Sequence, residues 1–340
     1  MDLTLNDAAW KKSPGTVGPR TRLYRDGVLE AEGLSVEEVS SHVGDPSYVI
    51  WFDLCAPDAA TIAAIDGELD LHELAVEDVL QDHQRSKLDI YDSHLFLTVY
   101  GAWFDTTTGQ LGTTEVNVFV TRNALVTIRE NDLFDIDEVV RRWDSKPDLA
   151  KHGVVFLLHG LLDVVVDGHF QIVQNLDDRV EALEDQLFAG LPAGRDLQRR
   201  TFDLRRDLVR FRRIVLPLRE VVNSLLRHDL FVAEAAMAPY FRDVYDHVMR
   251  VTEWTESLRE LVSDIREAQL NMQGYHLNDI MKKVTSWAAV IAVPTMITGF
   301  YGQNLPFPGS GRPIGVWTSV VVIAVTSALL FHVFRRRGWI

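Results

Sequence analysis

Gly302, Gln303 and Asn304 close a stretch that is otherwise made for lipid: the chain reads "TGFYGQN" from Thr298 to Asn304. Side-chain amides offer neutral oxygen acceptors. Such groups can hydrogen-bond the water shell of a small hard cation without stripping it, which suits Mg²⁺, an ion that dehydrates reluctantly. Asn is also favoured as a helix C-cap, so that reading of Asn304 stays open beside the first. In alternate steps of three and four, Asn278, Met281, Thr285 and Ala288 fall on one side of a helix, continued by Ala292, Thr295, Gly299 and Gly302. This stripe is small and mildly polar, whereas Trp287, Ile291, Ile297 and Phe300 occupy the other faces. Small residues allow close helix packing in a membrane. An amide at membrane depth, however, is expensive unless it meets water, a partner or an ion. Repeated around a symmetric bundle, the stripe lines a narrow pore.

A second group of candidate ligands stands upstream. Asp243 and Asp246 lie three residues apart in a helical pattern with His247 beside them. Carboxylates that face one another across a subunit boundary repel until a hard cation bridges them, so occupancy clamps subunits together. A solvated helix face accounts for the same residues without a metal. Enzyme signatures are missing. "HELAV" at His72 begins like a zinc-protease motif but has Val76 where the second histidine is required, and no Gly-rich loop followed by Gly-Lys occurs. Cys55 reads as a packed residue before Pro57.

The elements that carry these residues are legible from hydropathy. Val284 to Tyr301 is uncharged, and at about 1.5 Å per residue it approaches the roughly 30 Å hydrocarbon core of a bilayer. Pro294, a helix breaker in water, is tolerated in a membrane bundle. A second uncharged run from Ile314 to Phe334 stops at "RRR". Lys282 and Lys283 before the first run and Arg335 to Arg337 after the second place both ends in the cytoplasm by the positive-inside rule.

Upstream, residues 21–130 mix strand and helix patterns. "TRLYRDGVLEAEG" predicts a hairpin around Asp26-Gly27, and "SYVIWFDL", "HLFLTVYGAW", "EVNVFVT" and "ALVTIRE" are strand-like. "PDAATIAAIDGEL" and "LHELAVEDVLQDH" have helical spacing. Long helical patterns then run from Gly153 to Phe188 and from Arg195 to Arg227, separated by "AGLPAG". A third starts near Pro239 and meets no strong breaker before Tyr301, with Gly274 its one weak point. The expected order is a flexible arm (1–20), a cytoplasmic α/β domain (21–147), long antiparallel cytoplasmic helices (148–230) and a stalk helix (231–283). A pore-lining span (284–304), an external loop (305–313), a second span (314–334) and a basic tail (335–340) complete it. A stalk so long, charged on several faces, needs partners of its own kind.

Charge sorts along the same boundaries. Of the 34 Lys and Arg residues six follow Ile280 and no acid does, so 28 bases and all 49 acids leave residues 1–279 at −21. An acidic surface repels nucleic acid and attracts cations. One cysteine in 340 residues permits no intrachain disulfide, and "MDLTLNDAAWKKSPG" has no apolar core of signal-peptide length. A body in a reducing compartment is expected.

With these residues in place, the chain resembles the CorA family of divalent-cation transporters. The family's hallmark Gly-Met-Asn at the outer end of the first of two C-terminal spans corresponds to Gly302-Gln303-Asn304, in "MKKVTSWAAVIAVPTMITGFYGQN". "LAVEDVLQDHQRSKLDIYDSHLFLTVY" from Leu74 and "YFRDVYDH" from Tyr240 resemble the family too, extending the likeness from about Ser47 onward. The resemblance implies a funnel-shaped homopentamer that spans a bilayer and is no enzyme. Each copy gives an α/β cytoplasmic domain, long helices and a two-helix transmembrane region. It implies Gly302 and Asn304 as outer selectivity ring, Asn278 and Met281 as inner gate, and Asp243 with Glu77 and Asp78 as intersubunit regulatory metal ligands. The cargo it implies is Mg²⁺, transported and regulatory, with Co²⁺ or Ni²⁺ as variants and Zn²⁺ in the ZntB branch; a membrane-tethered cation sensor that conducts nothing is the alternative of another class. Three departures bear on ion preference: Gln303 for the usual Met, Ser86 where Pro is common, and Arg312 in an outer loop without acids.

Overall fold

The computed structural model describes residues 19–35, 38–39, 41–81, 85–105, 108–188, 195–227, 234–303 and 312–340. Asn304, most of the expected N-terminal arm and most of the external loop lie outside them.

The first unit comprises residues up to Ala189 and Arg195–Ser263. Its sheet has seven strands: β1 (Arg20–Arg25), β2 (Val28–Glu32), β3 (Tyr48–Cys55), β4 (Lys87–Ile90), β5 (Leu95–Phe104), β6 (Leu111–Val120) and β7 (Ala124–Arg129). Their order is β2-β1-β3-β7-β6-β5-β4. Among the described residues only β3 and β7 pair in parallel. The β1–β2 hairpin turns at Asp26 (φ 50°) and Gly27 (φ 80°), the two left-handed positions a tight twisted hairpin demands. Gly27 is required twice over, since a Cβ there would lie 2.7 Å from the Lys151 backbone nitrogen.

The central strands are apolar on both faces because both faces are covered. Leu95, Leu97, Val116, Val118 and Trp51 point to one core, which also holds the first half of α4 (Val154–Phe188) and α3 (Ile136–Asp144). Ile50, Phe52, Phe96, Phe119 and Val126 point to the other, under α1 (Ala59–Leu69) and α2 (Glu73–Leu80). The alternation along each strand is the period of two that a pleat imposes. Trp143 enters the first core because Gly160 has no Cβ: one placed there would sit 2.4 Å from the indole nitrogen. That nitrogen donates to the Leu157 carbonyl at 3.1 Å.

A 3₁₀ turn (Pro147–His152) leads into α4, and α5 (Arg195–Arg227) packs on α4 and the sheet. Helix α6 (Ala238–Tyr301) is continuous for 64 residues, Gly274 and Pro294 included. Its first part closes the core with Phe241, Val244 and Val248.

The second unit takes in Asp264–Ile340. It contains the rest of α6 and α7 (Pro313–Arg336). Trp287 and Phe331 join the two helices with ring centroids 6.3 Å apart, and Ser286 of α6 is buried. Among the described residues three helices are long and apolar enough to cross a membrane, but the apolar window of α4 is 72% buried within the protein, whereas those of α6 and α7 are 6% buried. Helix α4 is thus a core helix.

Candidate ion path and cation-binding cluster

In the second unit, Asn278, Met281, Thr285, Ala288, Ala292, Thr295 and Gly299 are all exposed along α6. The helix is unbroken through them, so the spacing of three and four keeps them on one side. Thr295 Oγ1 donates to the Ile291 carbonyl at 3.0 Å and Thr298 Oγ1 to the Thr295 carbonyl at 3.0 Å. The hydroxyl protons are thus spent on backbone, and what Thr295 still offers is an oxygen acceptor. The Gly302 N–H donates to the Thr298 carbonyl at 2.9 Å and the Gln303 N–H to the Phe300 carbonyl at 3.3 Å, tightening the last turn. Gly302 is not in a left-handed conformation. Its use is space, since a Cβ would approach the Thr298 carbonyl to 3.2 Å. Of the expected filter, Gly302 and Gln303 follow the end of the helix and are exposed, and Asn304 lies outside the described residues.

The first unit holds the other candidates. Asp243 and Asp246 are exposed on α6, and no hydrogen bond or ion pair among the described residues joins Asp243 to Glu77 or Asp78. Glu77 Oε1 accepts from the Gln81 amide at 2.8 Å. Asp78 is held by Lys87, which also reaches Asp89 at 3.0 Å. Burial works against the Lys87 charge, but these two carboxylates outweigh it and its pKa is raised.

The structure assembles one group that sequence reasoning did not. Asp163 and Asp167 on α4 face His247 on α6, with candidate ligand atoms within 4.8 Å of one another. Arg142 of α3 already stands on the pair, reaching Asp167 at 2.7 Å and pairing with Asp163 as well. Burial opposes the Arg142 charge, but the hydrogen bond to Asp167 and the charges of both aspartates prevail and raise its pKa. His159, one turn before Asp163 on α4, is buried, which lowers its pKa; Asp163 and then Asp243 work the other way. The signal was present in part: Asp163 and Asp167 are four apart in an apolar helix, and His247 follows Asp243 by four. What the sequence hid is the arginine that neutralises the pair, because α3 comes from a separate stretch. A divalent cation here competes with a guanidinium for the same oxygens.

A family profile described as CorA-like Mg²⁺ transporter protein matches residues 46–336. The chain belongs to that family. Its members are transporters and not enzymes. The chain is 28% identical over 342 residues to the Cobalt/magnesium transport protein CorA of Thermotoga maritima, covering 96% of each chain. The solved CorA magnesium transporter of Methanocaldococcus jannaschii superposes with a TM-score of 0.79 at 23% identity, over 96% of this chain and 99% of that one. The ZntB cytoplasmic domain of Vibrio parahaemolyticus superposes with a TM-score of 0.55 at 12% identity, over 67% and 88%. Both superpositions speak to fold. The chain is therefore a CorA-type divalent-cation transporter with an α/β domain, long helices and C-terminal membrane helices.

Proposed function

We propose that this CorA-type transporter admits Mg²⁺ passively into the cytoplasm, driven by the membrane potential and gated by cytoplasmic Mg²⁺. At about 2.3 kcal/mol per charge per 100 mV, a divalent ion gains that energy twice. The observation that carries the reading is the unbroken α6, which bears exposed Asp243 near its start and the small, exposed stripe from Asn278 to Gly302 near its end. The cobalt/magnesium transport named for the Thermotoga maritima relative supports the choice of ion.

Five copies surround the path in this reading. Asn278 and Met281 form the inner gate, Gly302, Gln303 and Asn304 the outer filter, and Thr285, Ala288, Ala292, Thr295 and Gly299 the wall between. Asp243 of one copy and Glu77 with Asp78 of the next hold the regulatory ion. The protein sits in the cell (inner) membrane with both termini cytoplasmic, as Lys282 and Lys283 before the apolar run of α6 and Arg335 to Arg337 after that of α7 favour. A second reading keeps the architecture and carries Zn²⁺ or Co²⁺ instead; Gln303 in place of the usual Met of the filter favours it. Uptake into proteoliposomes by the purified protein, with each ion in turn and with and without a proton gradient, tests both. Mg²⁺ uptake independent of a proton gradient is expected. Proton-dependent Zn²⁺ uptake supports the second reading, and no uptake of any ion supports a sensor.

A further inference from the structure

Helices α4 and α5 carry opposite charge on the sides they leave in solvent. Helix α5 has ten arginines against four acids and no lysine. The last twelve residues of α4, from Asp177, have five acids and one arginine. On α5 the exposed face has a half-exposed apolar seam at intervals of seven, Phe202, Val209 and Leu216, with Phe202 66% exposed. Arg199, Arg205 and Arg213 rim that seam. Arg199 is 84% exposed with only a 4.0 Å contact to Asp203, and Arg205 and Arg213 make no ion pair among the described residues. A period of seven is what a facing helix reads as a row of holes, and flanking charges then select its partner.

The matching surface is on α4. Asp178, Glu181 and Asp185 recur on its exposed side and end at Phe188, 81% exposed. None of the three acids has an ion-pair partner among the described residues. Five acids within twelve residues on one helix repel one another unless positive charge is brought to them. Both stripes remain exposed in the single chain, so neither satisfies the other there.

We infer that the arginine-rimmed seam of α5 in one copy docks on the acidic stripe of α4 in the next. The occupant is a second copy of this chain, because the chain itself bears the complementary charge. Two different faces in contact form a heterologous interface, which closes into a ring when the rotation between copies permits. The proposal rests on the oligomeric reading above and adds the face that sets which copy follows which. It also makes the contact between cytoplasmic bodies electrostatic and salt-sensitive.

Disulfide trapping in the full-length protein tests it. In a Cys55→Ser background, cysteine replaces one of Arg205, Val209 or Arg213 together with one of Asp178, Glu181 or Asp185, giving nine double variants. Because each copy carries both positions, mild oxidation in detergent should give at least one variant with a ladder of covalent species beyond dimer. Ladder yield should fall about fivefold between 0.1 M and 1 M NaCl, where screening shortens the Debye length from about 10 Å to about 3 Å. Asp178→Lys with Asp185→Lys should lower the ladder of an Arg213→Cys/Glu181→Cys chain about tenfold, and adding Arg199→Glu with Arg205→Glu should restore it. No interchain disulfide in any of the nine, a ladder that stops at dimer, or a yield indifferent to charge and salt overturns the proposal. Native mass spectrometry of the unmodified chain separates the two levels: a pentamer without a ladder removes only this face, and a monomer removes the oligomeric reading with it.

Discussion

Helices α4 and α6 contain apolar windows of equal mean hydropathy, yet 72% of the α4 window is buried in protein and 6% of the α6 window is. The difference lies in what surrounds the window. In α4 the run from Val154 to Val166 meets a sheet whose strands point Leu95, Leu97, Val116 and Val118 at it. In α6 the run from Val284 has lysines before it, no acid after it, and one neighbouring helix joined through Trp287 and Phe331. Apolar composition says that a helix must leave water; the company it keeps says whether protein or lipid receives it.

The largest expected effect places the same charge in both helices. Leu158 is 0% exposed, so Leu158→Asp buries a carboxylate without a partner and should unfold the first unit, seen as loss of its cooperative melt. Ile291→Asp, on the lipid side of α6 in this account, should lower membrane insertion by about 2.5–3.5 kcal/mol. Ala292→Asp, on the small stripe, should insert and assemble with altered flux. Equal insertion defects for the last two would erase the distinction between a wet and a greasy side.

Within α4 the comparison can be sharpened by pH. His169 is fully buried, and burial lowers its pKa to about 4. Its Nε2–H donates to the Tyr100 carbonyl at 2.8 Å, and Nδ1 has no partner among the described residues. The unfolded chain takes up this proton near pH 6.5 and the folded one only near 4. The stability contributed is therefore complete above about 6.5 and is lost as pH falls from there towards 4, up to about 3 kcal/mol. Denaturant midpoints between pH 7 and 5 should fall, and less steeply in His169→Gln. Identical slopes would mean that other groups carry the pH dependence.

Asp243→Ala should raise the internal Mg²⁺ needed for half-inhibition of flux about fivefold or more, the lower end of ordinary coupling between sites. Unchanged inhibition would move the sensor elsewhere, the Asp163/Asp167/His247 group being the first place to look. The smallest effect belongs to Arg312: Arg312→Glu should raise flux at low external Mg²⁺ about twofold, and more at low ionic strength. No change would put this side chain off the ion's route.

Much of the architecture was legible because long periodic patterns leave little choice. The breaker run "AGLPAG" separates α4 from α5, and the absence of a breaker after Pro239 fits one continuous helix. What escaped was short or depended on partners. Strand β4, "KLDI", alternates polar and apolar over only four residues, too short a run to declare itself, and is fixed by its antiparallel pairing with β5, Leu88 opposite Leu97 and Asp89 opposite Phe96. Helix α3 did carry its signal: Asp135 caps it, and Ile136, Val139 and Trp143 share its buried face. At the candidate sites, the stripe on α6 followed from spacing alone. The Asp163/Asp167/His247 group and its resident Arg142 needed three elements brought together, which no local pattern records.

The central claim is that the amides at the end of α6 select an ion on its way through the membrane. Asn304→Leu removes every donor and acceptor at similar size. Mg²⁺ flux into proteoliposomes, measured beside native mass spectrometry of the same preparation, should vanish in this variant while the oligomer persists. Wild-type flux through an assembled Asn304→Leu oligomer would contradict the account and leave "GQN" as a helix cap.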